Sequence, residues 1–545
     1  MPKIVTVEQM RALEAAADSQ GITYARMMEL AGTAVFEAVR ARAEALSSAR
    51  VVILAGPGNN GGDGLVAGRL LSEAGAIVQL FTLRPLESGD DNLRKALRAG
   101  LEVEDCETDE GLKQFSGALR GADVFVDALF GTGVRLPIKG RAADLLAAAG
   151  MVLRGREGVL RVAVDCPSGF DCDSGEVDEN LIPADVTVTF GAAKVGQFLF
   201  PGADALGELV LGDIGCPPDL PELADVDLEL AAAAQVGTML PERPRDAHKG
   251  TFGTALMAAG SVNYPGAAYL AAAGAYLVGA GLVTVGAPGG IHSILASLLP
   301  EATWLILPSD MGVISAESAA ILSQDAIASA DALLLGPGWG TEKPTAEFLS
   351  ALLLGNGAAG GGRIGFGAGG GAFTERTSPV SLPPTVVDAD GLKLLSELPD
   401  WPRLLPAPAV LTPHPGEMAK LTGISKDEIQ ADRIAVSRHF ATEWGHVIVL
   451  KGAFTVVAAP DGKVTLQPFA TAALARAGTG DVLAGLITGL LAQGLRPYSA
   501  AVSGAFLHGL SGELAMVKVG AQASVMARDV LAMTPKAIAS TLAQV

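Results

Sequence analysis

Two glycine-rich stretches of the sequence carry residue types that bind phosphate groups and move protons. The first is GPGNNGGDG at 56–64, whose first six residues match the dinucleotide-binding spacing G-x-G-x-x-G after the apolar run VVILA. The second is AGTGDVLAG at 477–485, in which Gly478, Thr479 and Gly480 open a helical pattern just before Asp481. Backbone amides at a helix N-terminus bind anions, so both stretches predict sites for a phosphorylated ligand.

Asp481 indicates the chemistry of the second stretch. A carboxylate beside a bound phosphate is repulsive unless it acts as a base for an attacking hydroxyl group or collects a metal ion. The structural alternative, an acid that complements the helix dipole, leaves the preceding Gly-Thr-Gly unexplained. We therefore predict that Asp481 is a general base on the first turn of the last helix of the chain.

Polar residues in the first half follow the ends of several predicted strands. Asp127 follows VFV and Asp165 follows RVAV, and the carboxyl ends of parallel strands open onto one crevice. Each aspartate alone would more often cap the next helix, but consecutive strand ends beside an Asn-Asn-Gly-Gly loop favour a site. We expect chain geometry to gather Asn59, Asn60, Asp63, Asp127 and Asp165 near one crevice.

Hydride transfer with a bound nicotinamide cofactor fits the first stretch less well. The second strand of such a site ends in an acid that holds the ribose hydroxyls, whereas AIVQLFTLRP offers Arg84. A Walker loop does not fit either, because no Lys-Ser or Lys-Thr follows the glycines.

The elements that must position these residues indicate two α/β domains. A chain of 545 residues exceeds what one core usually supports. Short β-branched runs alternate with helical patterns from Val51 and again from TALMAAG at 254–260, which predicts mostly parallel sheets with helices on both faces. The Pro- and acid-rich segment CPPDLPELADVDLE is the linker candidate, so we predict domains at 1–225 and 226–545.

Composition and charge indicate which partners and which cellular location to expect. The net charge of −20 argues against a nucleic-acid partner or an anionic membrane surface, and the four cysteines, without a C-x-x-C pair, are predicted to be reduced. No Asp, Glu, Lys or Arg lies between Gly250 and Pro300, but glycines and Pro265 interrupt this stretch, which favours a buried strand–helix–strand unit over a membrane span. The N-terminus lacks a signal-like apolar region, so a cytoplasmic enzyme is expected. The glycine-rich stretch 355–371 is predicted to be a loop.

Five ordered motifs make the first half resemble the NAD(P)HX epimerase domain, which has a Rossmann-like doubly wound sheet. They are MMELAG (27–32), GPGNNGGDG (56–64), VDALFGTG (126–133), DCPSG (165–169) and FGAAKVG (190–196). The resemblance implies a substrate that is a nicotinamide coenzyme hydrated at ring carbon six, whose R and S epimers interconvert. It implies that Asp165 is the acid and base, and that Lys194 is its charge partner, although a surface lysine is an equal alternative. A potassium ion would be held by Asn60, Asp127 and Ser168. The implied substrate contacts are Asn59, Asn60, Gly61, Gly62, Asp63 and Asp165, with the phosphate-binding run Gly131, Thr132, Gly133, Val134, Arg135, Leu136 and Pro137.

Motifs in the second half resemble a ribokinase-like α/β fold, and within it the ADP- or ATP-dependent NAD(P)HX dehydratase. They are HKGTFG (248–253), GPGWG (336–340), DADGL (388–392), LTPHPGE (411–417), LKGAFT (450–455) and the GTGD of 478–481. The resemblance implies that a nucleotide with Mg2+ on its phosphates phosphorylates the hydroxyl at carbon six, and that loss of phosphate restores the ring. The implied contacts to the hydrated coenzyme are Gly253, Gly338, His414 and Asp481. The implied nucleotide contacts are Lys451, Gly452, Ala453, Phe454, Thr455, Gly478, Thr479 and Gly480.

Three functions remain open from the sequence. The leading hypothesis is a bifunctional coenzyme-repair enzyme that epimerises the hydrate and then dehydrates one epimer. The second is a kinase that makes a stable phosphorylated small alcohol, and the third treats the first domain as a ligand-binding module without turnover. The sequence does not distinguish ADP from ATP as the donor, and a homo-oligomer is expected.

Overall fold

The described chain forms two compact α/β units. The computed structural model describes residues 1–85, 91–355 and 381–545. One unit is Pro2–Asp227, and the other is Leu228–Val545 together with Met1. Of the predicted loop at 355–371, residues 356–371 lie outside the described residues.

The first unit is built on a sheet of seven parallel strands, which confirms the predicted doubly wound fold. In order across the sheet, the strands are Glu102–Asp105, Ile77–Thr82, Arg50–Ala55, Val124–Ala128, Leu160–Val164, Val186–Phe190 and Glu208–Gly212. The strand order reverses between Arg50–Ala55 and Val124–Ala128, and ligands bind at such switch points. GPGNNGGDG follows the first of these strands, and Asp127 lies in the second. Among these seven strands, the sequence pattern did not predict Glu102–Asp105, which is short and acidic.

Helices cover this sheet, and a small parallel ladder joins Ile4–Val5 to Ala193–Lys194. The helices are Val7–Ser19, Tyr24–Arg40, Asn59–Glu73, Asp91–Arg98, Lys113–Gly121, Arg141–Leu153 and Pro221–Ala224. Thr6 and Gln9 form a capping box at the start of the first helix, with the Gln9 amide donating to Thr6 Oγ1 and the Thr6 amide donating to Gln9 Oε1.

The second unit is built on a sheet of ten strands that is mostly parallel. In order across the sheet, they are Leu228–Leu230, Val464–Leu466, Val456–Ala458, Val447–Leu450, Val410–Leu411, Thr385–Val387, Ala332–Leu335, Thr254–Ala258, Leu282–Pro288 and Thr303–Leu307. Val456–Ala458 runs antiparallel to both of its neighbours, and the remaining pairs are parallel. A two-stranded hairpin pairs Ser309–Asp310 with Val313–Ile314.

The helix that begins at Thr479 is not the last helix of the chain, because two long helices follow it, so that prediction is wrong. The helices of this unit are Ala233–Met239, Pro265–Val278, Gly289–Leu298, Ser318–Ile321, Lys343–Leu354, Asp390–Leu395, Pro415–Thr422, Lys426–Ala431, Arg433–Trp444, Thr479–Ala492, Pro497–Val519 and Ala527–Leu542. Pro497–Val519 is long and apolar enough to span a membrane, but 72% of its apolar window is buried, as in the core helix of a globular protein. The charge-free stretch from Gly250 to Pro300 forms strands and helices in the predicted order.

Close packing of two helices fixes the start of Thr479–Ala492. A Cβ added at Gly485 would lie 2.1 Å from the backbone oxygen of Ala271 in the helix Pro265–Val278, so the two backbones are in contact. Every residue from Val482 to Ala492 is buried. Burial of each large apolar side chain in this helix contributes about 1.5–3 kcal/mol, which holds the N-terminus of the helix at the carboxyl edge of the sheet.

Candidate functional site

The glycine stretch of the first unit is mostly helical rather than a loop. The helix begins at Asn59, and Gly58, its N-cap, supplies no side-chain cap, so the first amides remain available to a ligand. A Cβ added at Gly61 would lie 1.9 Å from the backbone oxygen of Gly56, and one at Gly62 would lie 2.6 Å from the sulfur of Met28. These glycines allow the strand, the helix and MMELAG to approach closely.

A buried ion pair lies at the carboxyl edge of the first sheet. Lys194 is 1% exposed, and its Nζ lies 2.7 Å from Oδ1 of Asp165, 2.8 Å from Oγ1 of Thr189 and 3.1 Å from the backbone oxygen of Phe190. Burial alone would lower the pKa of Lys194, but the Asp165 carboxylate outweighs it and the pKa is raised. Lys194 is therefore a charged partner of Asp165, and the alternative of a surface lysine is wrong.

Two further carboxyl groups face this pair. Burial raises the pKa of Asp63 well above its usual value, and the charges of Asp165 and Glu14 raise it further. Burial and the charge of Asp165 also raise the pKa of Glu14, against the opposing charge of Lys194. The site thus favours a proton on Asp63 beside an ionised pair. Glu14 lies in the first helix, outside the five motifs, and gave no sequence signal.

The predicted phosphate-binding run starts at this site and leads away from it. A Cβ added at Gly131 would lie 3.0 Å from Oδ1 of Asn60 and 3.4 Å from Oδ2 of Asp165, so these three residues are adjacent. The remainder, 132–137, is a partly exposed turn after the strand Val124–Ala128. The structure brings Gly131 to the pair and leaves 132–137 as the outer part of the crevice.

Asp127 and Ser168 form a compact polar cluster beneath the crevice. The Ser168 amide donates to Oδ2 of Asp127 at 2.7 Å, the Ser168 hydroxyl donates to Oδ1 at 2.5 Å, and the Leu129 amide donates to Oδ1 at 3.2 Å. Burial raises the pKa of Asp127 despite these bonds. Since these donors are neutral, a cation at this cluster would compensate a buried negative charge. Asn60 Nδ2 is buried with no hydrogen-bond partner among the described residues, as expected beside a ligand site.

In the second unit, three neighbouring parallel strands end in residues that contact one another. Asp388 follows Thr385–Val387, Thr412 follows Val410–Leu411, and Lys451 follows Val447–Leu450. Oδ1 of the buried Asp388 accepts bonds from Oγ1 of Thr412 and Nζ of Lys451, both at 2.7 Å. Burial alone would lower the pKa of Lys451, but the carboxylates of Asp388 and Glu417 raise it. DADGL and LTPHPGE were recognised as motifs, but Asp388 and Glu417 were not recognised as site residues.

The first turn of Thr479–Ala492 faces this cluster. Its N-cap, Gly478, has a φ of 90°, a left-handed conformation that suits glycine. A Cβ added at Gly480 would lie 3.5 Å from Nζ of Lys451 and 4.0 Å from Oδ2 of Asp388. Burial, together with the charge of Asp388 and against that of Lys451, raises the pKa of Asp481 to about 7. A carboxyl group with such a pKa is suited to accept a proton near neutral pH.

His414 caps the helix Pro415–Thr422. Its Nδ1 accepts the Gly416 amide at 2.9 Å, and its Nε2 lies 3.3 Å from Oε1 of Glu417. Burial, with the charges of Lys451 and Lys393, lowers the pKa of His414 and keeps the ring neutral. The ring is half-exposed at the cavity wall, so the structural role and a ligand contact are compatible.

A cavity of about 520 Å3 opens beside this cluster, a size suited to a nucleotide. Its wall contains these predicted residues: His414, Lys451, Gly452, Ala453, Thr455, Thr479 and Gly480. Its unpredicted lining is Pro415, Gln467, Phe469, Thr471, Leu474, Ala475, Arg476, Leu483, Ala505, His508 and Gly509. Phe454 lies in the same turn, where its amide donates to the backbone oxygen of Phe469 at 2.8 Å.

Two glycines that were predicted to contact the substrate lie at opposite edges of the second sheet. Gly338 follows the strand Ala332–Leu335 at the carboxyl edge, where a Cβ would lie 2.8 Å from the backbone oxygen of Tyr264. Gly253 instead precedes Thr254–Ala258, where a Cβ would lie 1.8 Å from the backbone oxygen of Ala492. Ala492 ends the helix that begins at Thr479, about 20 Å away at 1.5 Å per residue. The structure therefore does not bring Gly253 to the first turn of that helix, and its substrate contact stays a prediction.

These features define a class of protein. The second unit combines a helix N-terminus, a buried lysine, a carboxyl group with a pKa near neutrality and a nucleotide-sized cavity, which together constitute a phosphoryl-transfer site. The first unit is a doubly wound domain with a buried Asp165–Lys194 ion pair at the carboxyl edge of its sheet.

Comparison with known proteins identifies the family. The family described as NAD(P)H-hydrate dehydratase matches residues 255–536, and the family described as YjeF-related protein N-terminus matches 24–196. The bifunctional NAD(P)H-hydrate repair enzyme of Moorella thermoacetica is 37% identical over 98% of this chain and 96% of its own length. That of Thermofilum pendens is 34% identical over 95% of this chain and 93% of its own length. The chain belongs to the bifunctional NAD(P)H-hydrate repair enzymes, which confirms the resemblance of both halves and the expected combination of epimerase and dehydratase.

A solved structure also matches the second half. The ADP/ATP-dependent NAD(P)H-hydrate dehydratase of Bacillus subtilis, co-crystallised with ATP and Mg2+, is 30% identical over 57% of this chain and 98% of its own chain, with a TM-score of 0.47.

Proposed function

We propose that the first unit epimerises hydrated NADH and NADPH, and that the second dehydrates the S epimer with ADP or ATP as phosphoryl donor. The observation that carries the proposal is Asp481, whose pKa is raised to about 7 beside Lys451 and the helix N-terminus at 478–480. An anion hole, a cation and a base that titrates near neutrality are the groups that a kinase-type step needs.

The chemistry of the first unit follows from the carbinolamine at carbon six of the substrate. The ring nitrogen expels the hydroxyl group, which leaves as water after taking the proton that Asp63 carries, either directly or through the Asp165 carboxylate. Water then adds to the opposite face of the planar ring and returns a proton to the carboxylate. Lys194 holds the Asp165 carboxylate in position, since their charged atoms lie 2.7 Å apart.

The proposed potassium site of the first unit consists of Asn60, Asp127 and Ser168. The oxygen atoms of the Asp127–Ser168 cluster support it, because such hard ligands suit a monovalent cation, which would neutralise the buried carboxylate. The ion would supply charge stabilisation for a bound phosphate. Epimerisation measured in potassium and in lithium salts of equal ionic strength tests this, and equal rates in both would contradict it.

The chemistry of the second unit begins when Asp481 takes the proton of the hydroxyl at carbon six. That oxygen attacks the terminal phosphoryl group, and AMP or ADP leaves. Lys451 and the amides of 478–480 stabilise charge on the transferring group. Phosphate then leaves from carbon six and a proton leaves from the adjacent ring carbon, which restores the reduced nicotinamide.

The nucleotide is proposed to carry Mg2+ on its phosphates. Mg2+ is commonly held by substrate phosphates and one or two carboxylates rather than by a protein cage. Among the described residues, no group of three or more His, Cys, Asp or Glu side chains is arranged for a metal ion. Asp388, Asp390 and Glu417 are carboxylates whose charges act on Asp481 in the first turn of the helix.

The decisive experiment supplies both epimers of hydrated NADH to the purified protein with Mg2+ and either ADP or ATP. We expect the absorbance of the reduced ring to return, both epimers to disappear and inorganic phosphate to accumulate with at least one donor. A lasting phosphorylated product would favour the small-alcohol kinase, and failure to consume either epimer would overturn the proposal.

Domain limits at 1–225 and 226–545, a homo-oligomer and a cytoplasmic location complete the proposal. The compact units Pro2–Asp227 and Leu228–Val545 support the limits. Limited proteolysis, light scattering and cell fractionation test the three statements in turn.

A further inference from the structure

Two buried polar side chains in the cavity wall of the second unit have acceptor atoms without partners. His508 is 8% exposed and Gln467 is 1% exposed, and both belong to the wall of the cavity that also contains Lys451 and Gly480. Within the described residues, Nε2 of His508 and Oε1 of Gln467 have no hydrogen-bond partner. Leaving buried polar atoms unpaired is costly, so such atoms in a ligand cavity indicate a bonding partner on the ligand.

The hydrogen bonds that each side chain already makes determine which of its polar atoms is left without a partner. The backbone oxygen of Thr479 hydrogen-bonds the His508 imidazole, and burial lowers the pKa of His508 to about 4. The ring is therefore neutral with its proton on Nδ1, which leaves Nε2 as an acceptor. Gln467 donates through Nε2 to the backbone oxygen of Val502 at 3.4 Å, which leaves Oε1 as an acceptor. Both free atoms call for an N–H or O–H donor.

The cavity itself indicates which part of a nucleotide reaches these atoms. Its wall contains Lys451 and Gly480, the proposed phosphate contacts, and an apolar part with Phe469, Leu474 and Leu483. A nucleotide anchored by its phosphates extends its ribose and base into this apolar part. The nucleoside carries O–H donors on its ribose and, in adenine, an exocyclic amino group.

We propose that His508 and Gln467 recognise the nucleoside of the phosphoryl donor by accepting hydrogen bonds from its ribose hydroxyl or amino groups. This inference rests on the proposed nucleotide-dependent function of the second unit. These two residues select a nucleoside polyphosphate over a bare polyphosphate, whereas Lys451 and the helix N-terminus bind both. They position the donor and take no part in proton transfer.

The test removes the proposed hydrogen bonds first from the protein, by substitution, and then from the ligand, by omitting the nucleoside. Calorimetry measures the Kd of ADP and of pyrophosphate for the full-length wild type and for His508→Phe, His508→Gln and Gln467→Leu. We expect His508→Phe and Gln467→Leu to weaken ADP binding by about tenfold and to leave pyrophosphate binding unchanged. His508→Gln, which restores an acceptor, recovers part of the loss. The exposed His439→Asn serves as the control.

Analogues of ADP identify the donor group on the nucleoside. Candidates are 2′-deoxy-ADP, 3′-deoxy-ADP and the diphosphate of purine riboside, which lacks the amino group. The analogue that lacks the group read by His508 binds about tenfold more weakly, and His508→Phe weakens it no further. Equal binding of all three analogues and ADP to the wild type, or equal losses of ADP and pyrophosphate in both variants, would overturn the inference. Wild-type turnover of the hydrate is measured separately, and its absence would count against the proposed function alone.

Discussion

A buried lysine beside an excess of carboxyl groups recurs in both units. Lys194 pairs with Asp165, and Lys451 pairs with Asp388, each at 2.7 Å. Burial raises the pKa of Asp481 in the second unit, and the charge of Asp388 raises it further because one ammonium group cannot offset every nearby carboxylate. Burial and the local surplus of negative charge together give Asp481 a pKa of about 7, which suits it to accept a proton near neutral pH.

Asp481→Asn is expected to lower the rate of dehydration by at least about 100-fold, because an amide cannot accept the substrate proton. In the wild type, kcat/KM for dehydration is expected to fall about tenfold per pH unit below the pKa of Asp481, which is raised to about 7. Stopped assays of the S epimer across pH check both statements. A rate that stays flat well below neutral pH would show that another group is the base.

Asp481→Asn is also expected to change the thermal stability of the protein, in a way that depends on pH. The folded state raises the pKa of Asp481 from 3.8 to about 7, so this carboxyl group costs no stability at low pH and destabilises as pH rises through that range. Asp481→Asn is therefore expected to raise the Tm by several degrees at about pH 8 and by almost nothing at about pH 4. A lower Tm at the higher pH would contradict the assigned burial cost.

Lys194→Gln is expected to destabilise the first unit by about 3 kcal/mol and to lower epimerisation by at least about 100-fold, because it removes the partner of a largely buried carboxylate. Lys139→Gln is the control, since Lys139 is exposed on the same unit. Chemical denaturation and epimer exchange followed by chromatography provide the two measurements. Normal exchange in Lys194→Gln would remove Lys194 from the proposed mechanism.

Many strands were predictable because they are short runs rich in β-branched residues, such as Val186–Phe190 and Val447–Leu450. Asp165 was predicted from its place after such a run, and Asp481 from the Gly-Thr-Gly that precedes it. Glu14 could not be found, because its approach to Asp165 depends on how the first helix packs on the sheet. The packing of Gly253 could not be predicted for a related reason, since its contact with Ala492 joins residues far apart in sequence.

At the scale of elements, the helix Thr479–Ala492 must approach its neighbour closely to direct its N-terminus at the site. Gly485→Ala is expected to cost about 1–3 kcal/mol and to lower dehydration by about 100-fold, because the new Cβ would lie 2.1 Å from the backbone oxygen of Ala271. Gly266→Ala in the facing helix is the matched control, since nothing lies within 4 Å of its added Cβ. Thermal unfolding and dehydration assays are compared for both variants. Equal behaviour of the two would show that helix contact does not position the anion hole.

At the scale of the whole molecule, one chain contains an epimerase unit and a dehydratase unit. The combination is useful because hydration yields both epimers and the dehydratase accepts one. Each unit has its own sheet and its own charged cluster, so inactivating one is not expected to impair the other. Asp165→Asn and Asp481→Asn are the matched pair of variants, each with one charged site removed.

With a mixture of epimers, ADP or ATP and Mg2+, Asp165→Asn is expected to consume the S epimer and leave the R epimer to slow spontaneous exchange. Asp481→Asn is expected to exchange the epimers without consuming them. Mixing the two variants should restore consumption of both, because the released substrate passes through solution between the intact sites. Chromatography of both epimers over time measures this, with each variant alone and a sample without protein as controls. If the mixture consumed no more of the R epimer than Asp165→Asn alone, the two activities would require intact sites in the same chain.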